Sequence, residues 1–358
     1  MHTTIIKAFA YSLFMTCLMS IGCSSKSGSE GNSVVSNEGP TFFKILNNTN
    51  DLSIVIETDF ESLFINKNKP EKYYQTAWLR ASDGDRVVFD DSLQVRPRGV
   101  TRKKICDFPP LMIKIRGKRL EEFGFEDTDN LKLLSYCQED ETHRTYVLKE
   151  FMNYRLYNML TDHSFKVKLA KIVYRDAGQQ HEDRNHLGFI IEPLDEMSNR
   201  LGCSIVPEEQ AIKRIDKEKY KNLVVFQYMI GNSDWNFSRR HNVRMLLCDP
   251  KIGPLPVPYD FDYSGIVNAE YASPHPSLPI DEVTDRLFQW RGSLDEDFRN
   301  TYANFNQKKE AFFDLCRSFP HLKDGDKTEM ITYLEEFYDQ ISSPEIMKAE
   351  MARARKKS

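Results

Sequence analysis

The hydrophobic period of this chain changes along its length, and the change divides it in two. Up to residue 192 the apolar residues fall mainly in short β-branched and aromatic runs, and after Pro193 they fall mainly at helical spacing. Residues 53–57 (SIVIE), 74–80 and 87–95 read as strands bounded by Asp, Gly or Pro, and 110–115 (PLMIKI) and 131–136 (LKLLSY) continue the pattern. One helix interrupts them: in residues 144–160 apolar positions recur at 147/148, 151/152, 156 and 159/160. Strands at 166–174 and 187–192 follow. Asp216 is then a good N-cap for KEKYKNLVVFQYMI, a helix with Tyr220, Leu223, Val224 and Tyr228 on one face that ends at Gly231. Helices at 295–318, 326–341 and 345–355 complete the pattern, and there is no internal repeat.

The first residues read as a leader. His2 and Lys7 begin it, an apolar run covers residues 8–19, and Ser20-Ile21-Gly22 leads into Cys23. The run is too short for a comfortable membrane-spanning helix. A Cys directly after Ile-Gly resembles the lipobox of bacterial lipoproteins, with Ser20 where Leu is usual. That implies a signal peptide at 1–22, a chain that begins at a diacylated Cys23, and a membrane as partner through that lipid. The expected place is the cell envelope, at the outer membrane or surface in a Gram-negative cell. Residues 23–40, with SSKSGSEGNSVVSN, read as a flexible tether. A body of about 320 residues remains. Its net charge of −4 argues against general nucleic-acid binding. Pairing is the default for cysteines of an exported protein. Cys106 with Cys137 and Cys203 with Cys248 are plausible bridges, and Cys316 is then left over.

Residues 230–265 carry the chemistry: IGNSDWNFSRRHN, a short apolar segment, then PVPYDFDYSG. Asp234, Asn236, Asn242, Asp260 and Asp262 thereby sit on two loops separated by an expected β-hairpin. Mg²⁺ (or Mn²⁺) with ATP needs hard oxygen ligands of this kind, taking one or two carboxylates and leaving the remaining positions to phosphates and water. A further Asp on the first loop could accept the proton of an attacking hydroxyl. Asp260 and Asp262 alternate across Phe261, so an extended backbone turns both carboxylates to one side and Phe261 into the core. The regular acidic spacing of an EF-hand is missing.

A strand-rich part with one helix (41–192), then a mainly helical part (193–358) that opens with the acidic loops, is the order of an α+β, atypical protein-kinase-like two-lobed fold, with a β-rich N-lobe and an α-rich C-lobe. Four patches carry a resemblance to the spore coat protein H (CotH) kinase-like family, in particular its lipoprotein members. They are VRPRGVTRKKICDFPPLMIKI, NLKLLSYCQEDETHRTYVLKEFMNYRLYNMLTDHSFKVKL, GFIIEPLDEM and residues 230–265. The resemblance implies ATP-dependent phosphoryl transfer and gives roles residue by residue. Asp234 would orient or deprotonate the acceptor. Asn242 matches the metal-binding Asn, with Asn236 as a competitor, and Asp260 and Asp262 complete the metal set with Asp260 as principal ligand. Lys114, mid-strand, would reach the phosphates, with Glu150 as its counter-ion. Arg98, Gly99 and Arg102 resemble the family's basic turn over the phosphates. Glu192 closes GFIIE where a hinge would offer its backbone to adenine.

The function expected from this is an exported, lipid-anchored CotH-like kinase acting on a hydroxyl acceptor, a protein of the cell envelope. The alternative is a catalytically degenerate surface binding or adhesion lipoprotein, because export separates the body from the cytoplasmic ATP pool. A hydrolase reading lacks support: there is no GxSxG elbow, and none of the 8 histidines sits in a metal-ligand motif.

Overall fold

The computed structural model describes residues 40–69, 71–115, 122 and 130–355. The leader, Cys23 and the tether up to residue 39 lie outside the described residues. All seven strands expected before residue 193 are present: β1 (Leu52–Thr58), β2 (Gln75–Asp83), β3 (Arg86–Pro97), β4 (Leu111–Lys114), β5 (Leu131–Leu134), β6 (Val167–Asp176) and β7 (Arg184–Ile191). Their alternation places Ile54, Ile56, Leu79, Leu93, Val95, Leu111, Ile113, Leu133 and Ile172 in one core. Helices α1 (Phe42–Asn47) and α2 (Phe60–Lys67) add Phe42, Leu46, Phe60 and Leu63 to it.

The two-lobed kinase-like fold, with its β-rich N-lobe and α-rich C-lobe, is overturned by how these strands pair. They run in the order β1-β2-β3-β4-β5-β7-β6, and β6 returns to lie parallel to β1, Ser53 opposite Lys171 through Thr58 opposite Asp176. The result is a closed seven-stranded mixed barrel with helices outside it. The physical reason is that β6 has a partner on each side, antiparallel β7 and parallel β1, so every backbone N–H and C=O row of the sheet meets another strand. Alternation within β1 and β6 reveals which face is buried, but not that these distant segments meet.

Between residues 41 and 192 the described residues carry four helices where the sequence suggests one: α1, α2, the short α3 (Thr101–Ile105) and the long α4 (Glu141–Leu160). Asp140 caps α4 by accepting from His143 N, and the helix buries Val147, Leu148, Phe151, Tyr154, Leu156 and Tyr157. Then come α5 (Leu194–Leu201), α6 (Lys217–Met229), α7 (Arg299–Ser318), α8 (Asp324–Ile341) and α9 (Pro344–Arg353). Asp216 caps α6 as expected, accepting from Lys219 N at 3.0 Å. The helix is buried nearly all round, from Leu223 to Met229, rather than on one face. A second core joins α4, α6, α7 and α8 to Phe189, Ile191 and Val167 on the outer side of the barrel. The expected hairpin is β9 (Val243–Leu247) with β10 (Leu255–Pro258), and β8 (Ser204–Ile205) extends it to three strands in the order β10-β9-β8.

Both plausible disulfides are present, Cys106–Cys137 and Cys203–Cys248, and Cys316 is a buried free thiol. The first ties the end of α3 to the segment after β5. No helix among the described residues is long and apolar enough to cross a membrane.

Candidate active site

The first acidic loop leaves α6 through Gly231, whose φ of +64° lies in the left-handed region. No larger residue fits there, because a Cβ would come within 1.9 Å of Tyr333 Oη. Asn232 then orders the loop: its Nδ2 donates to Gln227 Oε1 at 3.1 Å and its Oδ1 accepts from Asp234 N at 3.0 Å. The second loop is sewn to the first by backbone bonds, Gly265 N to Gly231 O at 3.0 Å and Ile266 N to Ile230 O at 3.1 Å. Helix α4 braces the second loop from the other side. Asp260 N donates to Tyr154 Oη at 2.9 Å, and Asn153 Nδ2 donates to Ser264 Oγ at 3.0 Å.

Asp234 and Asn242 meet directly. Asn242 Nδ2 donates to Asp234 O at 2.7 Å and to its carboxylate at 3.0 Å, while His241 Nε2 donates to the other carboxylate oxygen at 2.9 Å. With its amide nitrogen so used, Asn242 keeps Oδ1 for a ligand. The competitor Asn236 does not: its Oδ1 accepts from Arg239 N at 2.8 Å and closes the turn. Asn242 itself is left-handed at φ +53°, a conformation Asn tolerates better than most residues. Burial lifts the Asp234 carboxyl above the ordinary range, against the pull of His241, and the negative charge of Asp260 adds to the rise.

The backbone through Asp260 is not extended. Asp260 adopts φ +64° and Ser264 N turns back onto Phe261 O, so simple alternation does not describe the pair of carboxylates. Phe261 is nevertheless buried as expected, with its ring 4.7 Å from that of Tyr154 and 5.6 Å from that of Phe226. Among the described residues the half-buried Asp260 carboxylate has no hydrogen-bond or ion-pair partner. Asp262 is buried, with Oδ2 at 3.1 Å from Arg102 Nε. Burial pushes its carboxyl up to about 7 despite Arg102, and the charges of Asp260, Glu150 and Asp234 push the same way.

Two expected pairings are corrected. Glu150 is not the counter-ion of Lys114: Arg102 Nη2 lies 2.5 Å from Glu150 Oε2, so the arginine takes that place. Lys114 sits at the end of β4 opposite Gln94, on the barrel's outward row with Met112. Arg102, expected over the phosphates, is instead buried between Asp262 and Glu150. Their two negative charges outweigh its burial and hold its guanidinium well above the ordinary value. Gly99 does turn the chain, at φ +91°, and Arg98 N is fixed on Pro110 O at 2.8 Å. Tyr263 Oη donates to Thr101 Oγ1 at 3.3 Å, joining α3 to the second loop. At Glu192, expected to offer its backbone to adenine, the N–H donates to Lys166 O at 2.9 Å, while the carboxylate takes Arg200 Nε at 2.7 Å and Lys166 N at 2.9 Å.

Sequence reasoning missed Lys132 on β5, the cross-strand neighbour of Met112. Its Nζ stands 4.9 Å from the Tyr259 ring centroid. Burial lowers its ammonium to about 7, helped by Arg98 and Arg244 and opposed by Asp260. A signal existed, since LKLL repeats the pattern of MIKI with a lysine at an outward position.

Among the described residues no three His, Cys, Asp or Glu side chains converge as a ready-made metal site. Magnesium with a triphosphate does not ask for one, because phosphates and water supply most ligands. The residues fit that demand. Among the described residues Asp260 is uncommitted, Asn242 has a spare amide oxygen, Asp262 carries a carboxyl raised by burial and by its acidic neighbours, and buried Glu150 Oε1 has no hydrogen-bond partner. Net negative charge without a full set of cations is what a divalent ion relieves.

No protein-family model and no curated protein matches the chain. A solved structure of a Helicobacter pylori proinflammatory kinase, CtkA, is similar at 8% identity and a TM-score of 0.38, covering 72% of this chain and 93% of that one. A likeness that distant carries no argument here, and the site is judged on its own geometry.

Proposed function

We propose that this protein is an exported, lipid-anchored phosphotransferase that passes the γ-phosphoryl group of ATP to a hydroxyl acceptor, a protein of the cell envelope. One observation carries the reading: the Asp234 carboxylate, held by His241 and Asn242, stands on a loop sewn to the one that presents the uncommitted Asp260. The motifs shared with the CotH kinase-like family support the same assignment. The anchor at Cys23 belongs to the proposal as well.

Asp234 accepts the proton of the acceptor hydroxyl as its oxygen bonds to the γ-phosphorus; the bond from that phosphorus to the β–γ bridging oxygen breaks, and ADP leaves with the electron pair. Asp260, Asn242 and Asp262 would hold Mg²⁺ or Mn²⁺, which when bound supplies neutralisation of the phosphate charge. Lys132, which feels the charge of Asp260, and Arg98 close to it would face the phosphates in place of Arg102, which is engaged. Calorimetry of the full-length protein in detergent with Mg·ATP, followed by transfer from labelled ATP, tests this. A folded protein that releases no heat at millimolar Mg·ATP ends the reading.

A second reading, a degenerate surface-binding lipoprotein, is favoured by Arg102, which already neutralises Asp262 without any metal. Under it the Asp260→Ala variant binds its partner as the wild type does.

A further inference from the structure

A cavity of about 860 Å³ opens beside Asp234, and no residue of the barrel lines it. Its walls are the first acidic loop, the segments at 275–279 and 287–291, and Arg355 after α9. The lining charge is one-sided: Arg239, Arg291 and Arg355 stand with His241 and His275, and Asp234 is the single carboxylate. Arg239 and Arg291 are exposed, and neither guanidinium has a carboxylate partner among the described residues. The wall is fixed to the loop, because Gln289 Nε2 donates to Ser233 O at 3.1 Å. Behind the charges lie apolar surfaces of Trp290 and Leu287, both largely buried.

We propose that this cavity seats the acceptor, and that the acceptor is an acidic peptide segment carrying a serine or threonine. The inference rests on the phosphotransferase reading for the role of Asp234, but its charge argument is independent of the nucleotide. Lys132 feels the charge of Asp260 and of Arg98, and neither cation lines this cavity, so its arginines form a separate cluster of positive charge. Two unpaired guanidinium groups at the rim of an open cavity attract carboxylates and steer them inward. The volume is in the range of ligand-binding pockets, and the half-buried Leu278 and Pro279 in its wall accept the apolar parts of a chain between its charges.

The test uses the full-length protein in detergent and two fluorescein-labelled peptides, one of alternating Glu and Ser and one of alternating Lys and Ser. Fluorescence anisotropy is expected to show the acidic peptide bound at least about tenfold more tightly, with the preference falling as salt rises. The double variant Arg239→Glu/Arg291→Glu is expected to lose that preference while Mg·ATP calorimetry stays unchanged, which shows the fold is intact. Equal binding of the two peptides, or an unaltered preference in the double variant, overturns the proposal whatever Mg·ATP does. A preference that depends on the two arginines in a protein that binds no Mg·ATP upholds the acidic-peptide site and removes the phosphotransferase reading instead.

Discussion

Arg102 Nη2 lies 2.5 Å from Glu150 Oε2, so a residue of the five-residue α3 neutralises a carboxylate buried in the middle of the long α4. The same guanidinium reaches Asp262, which joins one arginine to two of the acidic groups that matter most. Both partners are buried, so each depends on the arginine for its charge compensation.

Replacing Arg102 with Met therefore leaves two carboxylates buried without a cation. A loss of about 3–5 kcal/mol in urea unfolding is expected, the range for breaking a buried pair from one side. The triple variant Arg102→Met/Glu150→Gln/Asp262→Asn should regain much of it. A loss below about 1 kcal/mol in the single variant would show the pairs to be solvated like surface ones.

Asp234 and Asp260 should separate cleanly in function. Asp234→Asn is expected to keep Mg·ATP affinity and to lower the rate of transfer by about 10²–10⁴, the usual worth of a positioned general base. Asp260→Ala is expected to abolish the Mg·ATP heat itself. The idea fails if Asp234→Asn transfers phosphoryl at the wild-type rate.

Lys132 gives a signed pH dependence. Its ammonium falls from 10.5 to about 7 on folding, so between these values the unfolded chain binds a proton that the folded protein does not. Its penalty is full below pH 7 and is relieved as pH rises. The unfolding free energy of the wild type minus that of Lys132→Met should therefore increase from pH 7 to pH 9. A flat or falling difference would mean the lysine stays charged.

At Gly231, alanine meets both a left-handed backbone and the Tyr333 hydroxyl. Gly231→Ala should lose about 1–3 kcal/mol by thermal unfolding. Adding Tyr333→Phe removes the clashing oxygen and should return part of that loss, although Thr284 O then loses its donor. No recovery at all would place the cost in the backbone alone.

Much of this molecule was legible in its residues. β-Branched and aromatic runs bounded by turn residues, with alternation in 110–115 and 131–136, marked the strands of the barrel, Asp216 marked the start of α6, and the spacing of Asp234, Asn242 and Asp260 marked two loops that the structure does join. What was hidden is long-range. The parallel meeting of β1 with β6 leaves no trace in either segment, and it put a closed barrel where a kinase-like β-rich lobe was expected. Helix α3 has no apolar period for a pattern to find, so Arg102 read as part of a basic turn rather than as the partner of Glu150. Lys114 and Lys132 lie on adjacent strands at outward positions, and sequence alone does not reveal that Lys132 is the one packed on Tyr259 and exposed to the charge of Asp260. The left-handed Asp260 broke the alternation argument, since its N–H turns to Tyr154 Oη instead of to a neighbouring strand.

The three-stranded sheet, unlike the barrel, has rims, and β10 forms one of them. Pro256 and Pro258 on that strand have no N–H to offer, and all four of its residues are buried. A protein crowded on a surface at high local density is exposed to strand-by-strand stacking with its neighbours. With one sheet closed and the β10 rim of the other stripped of outward donors at Pro256 and Pro258, a neighbouring chain finds no ladder to extend along that strand.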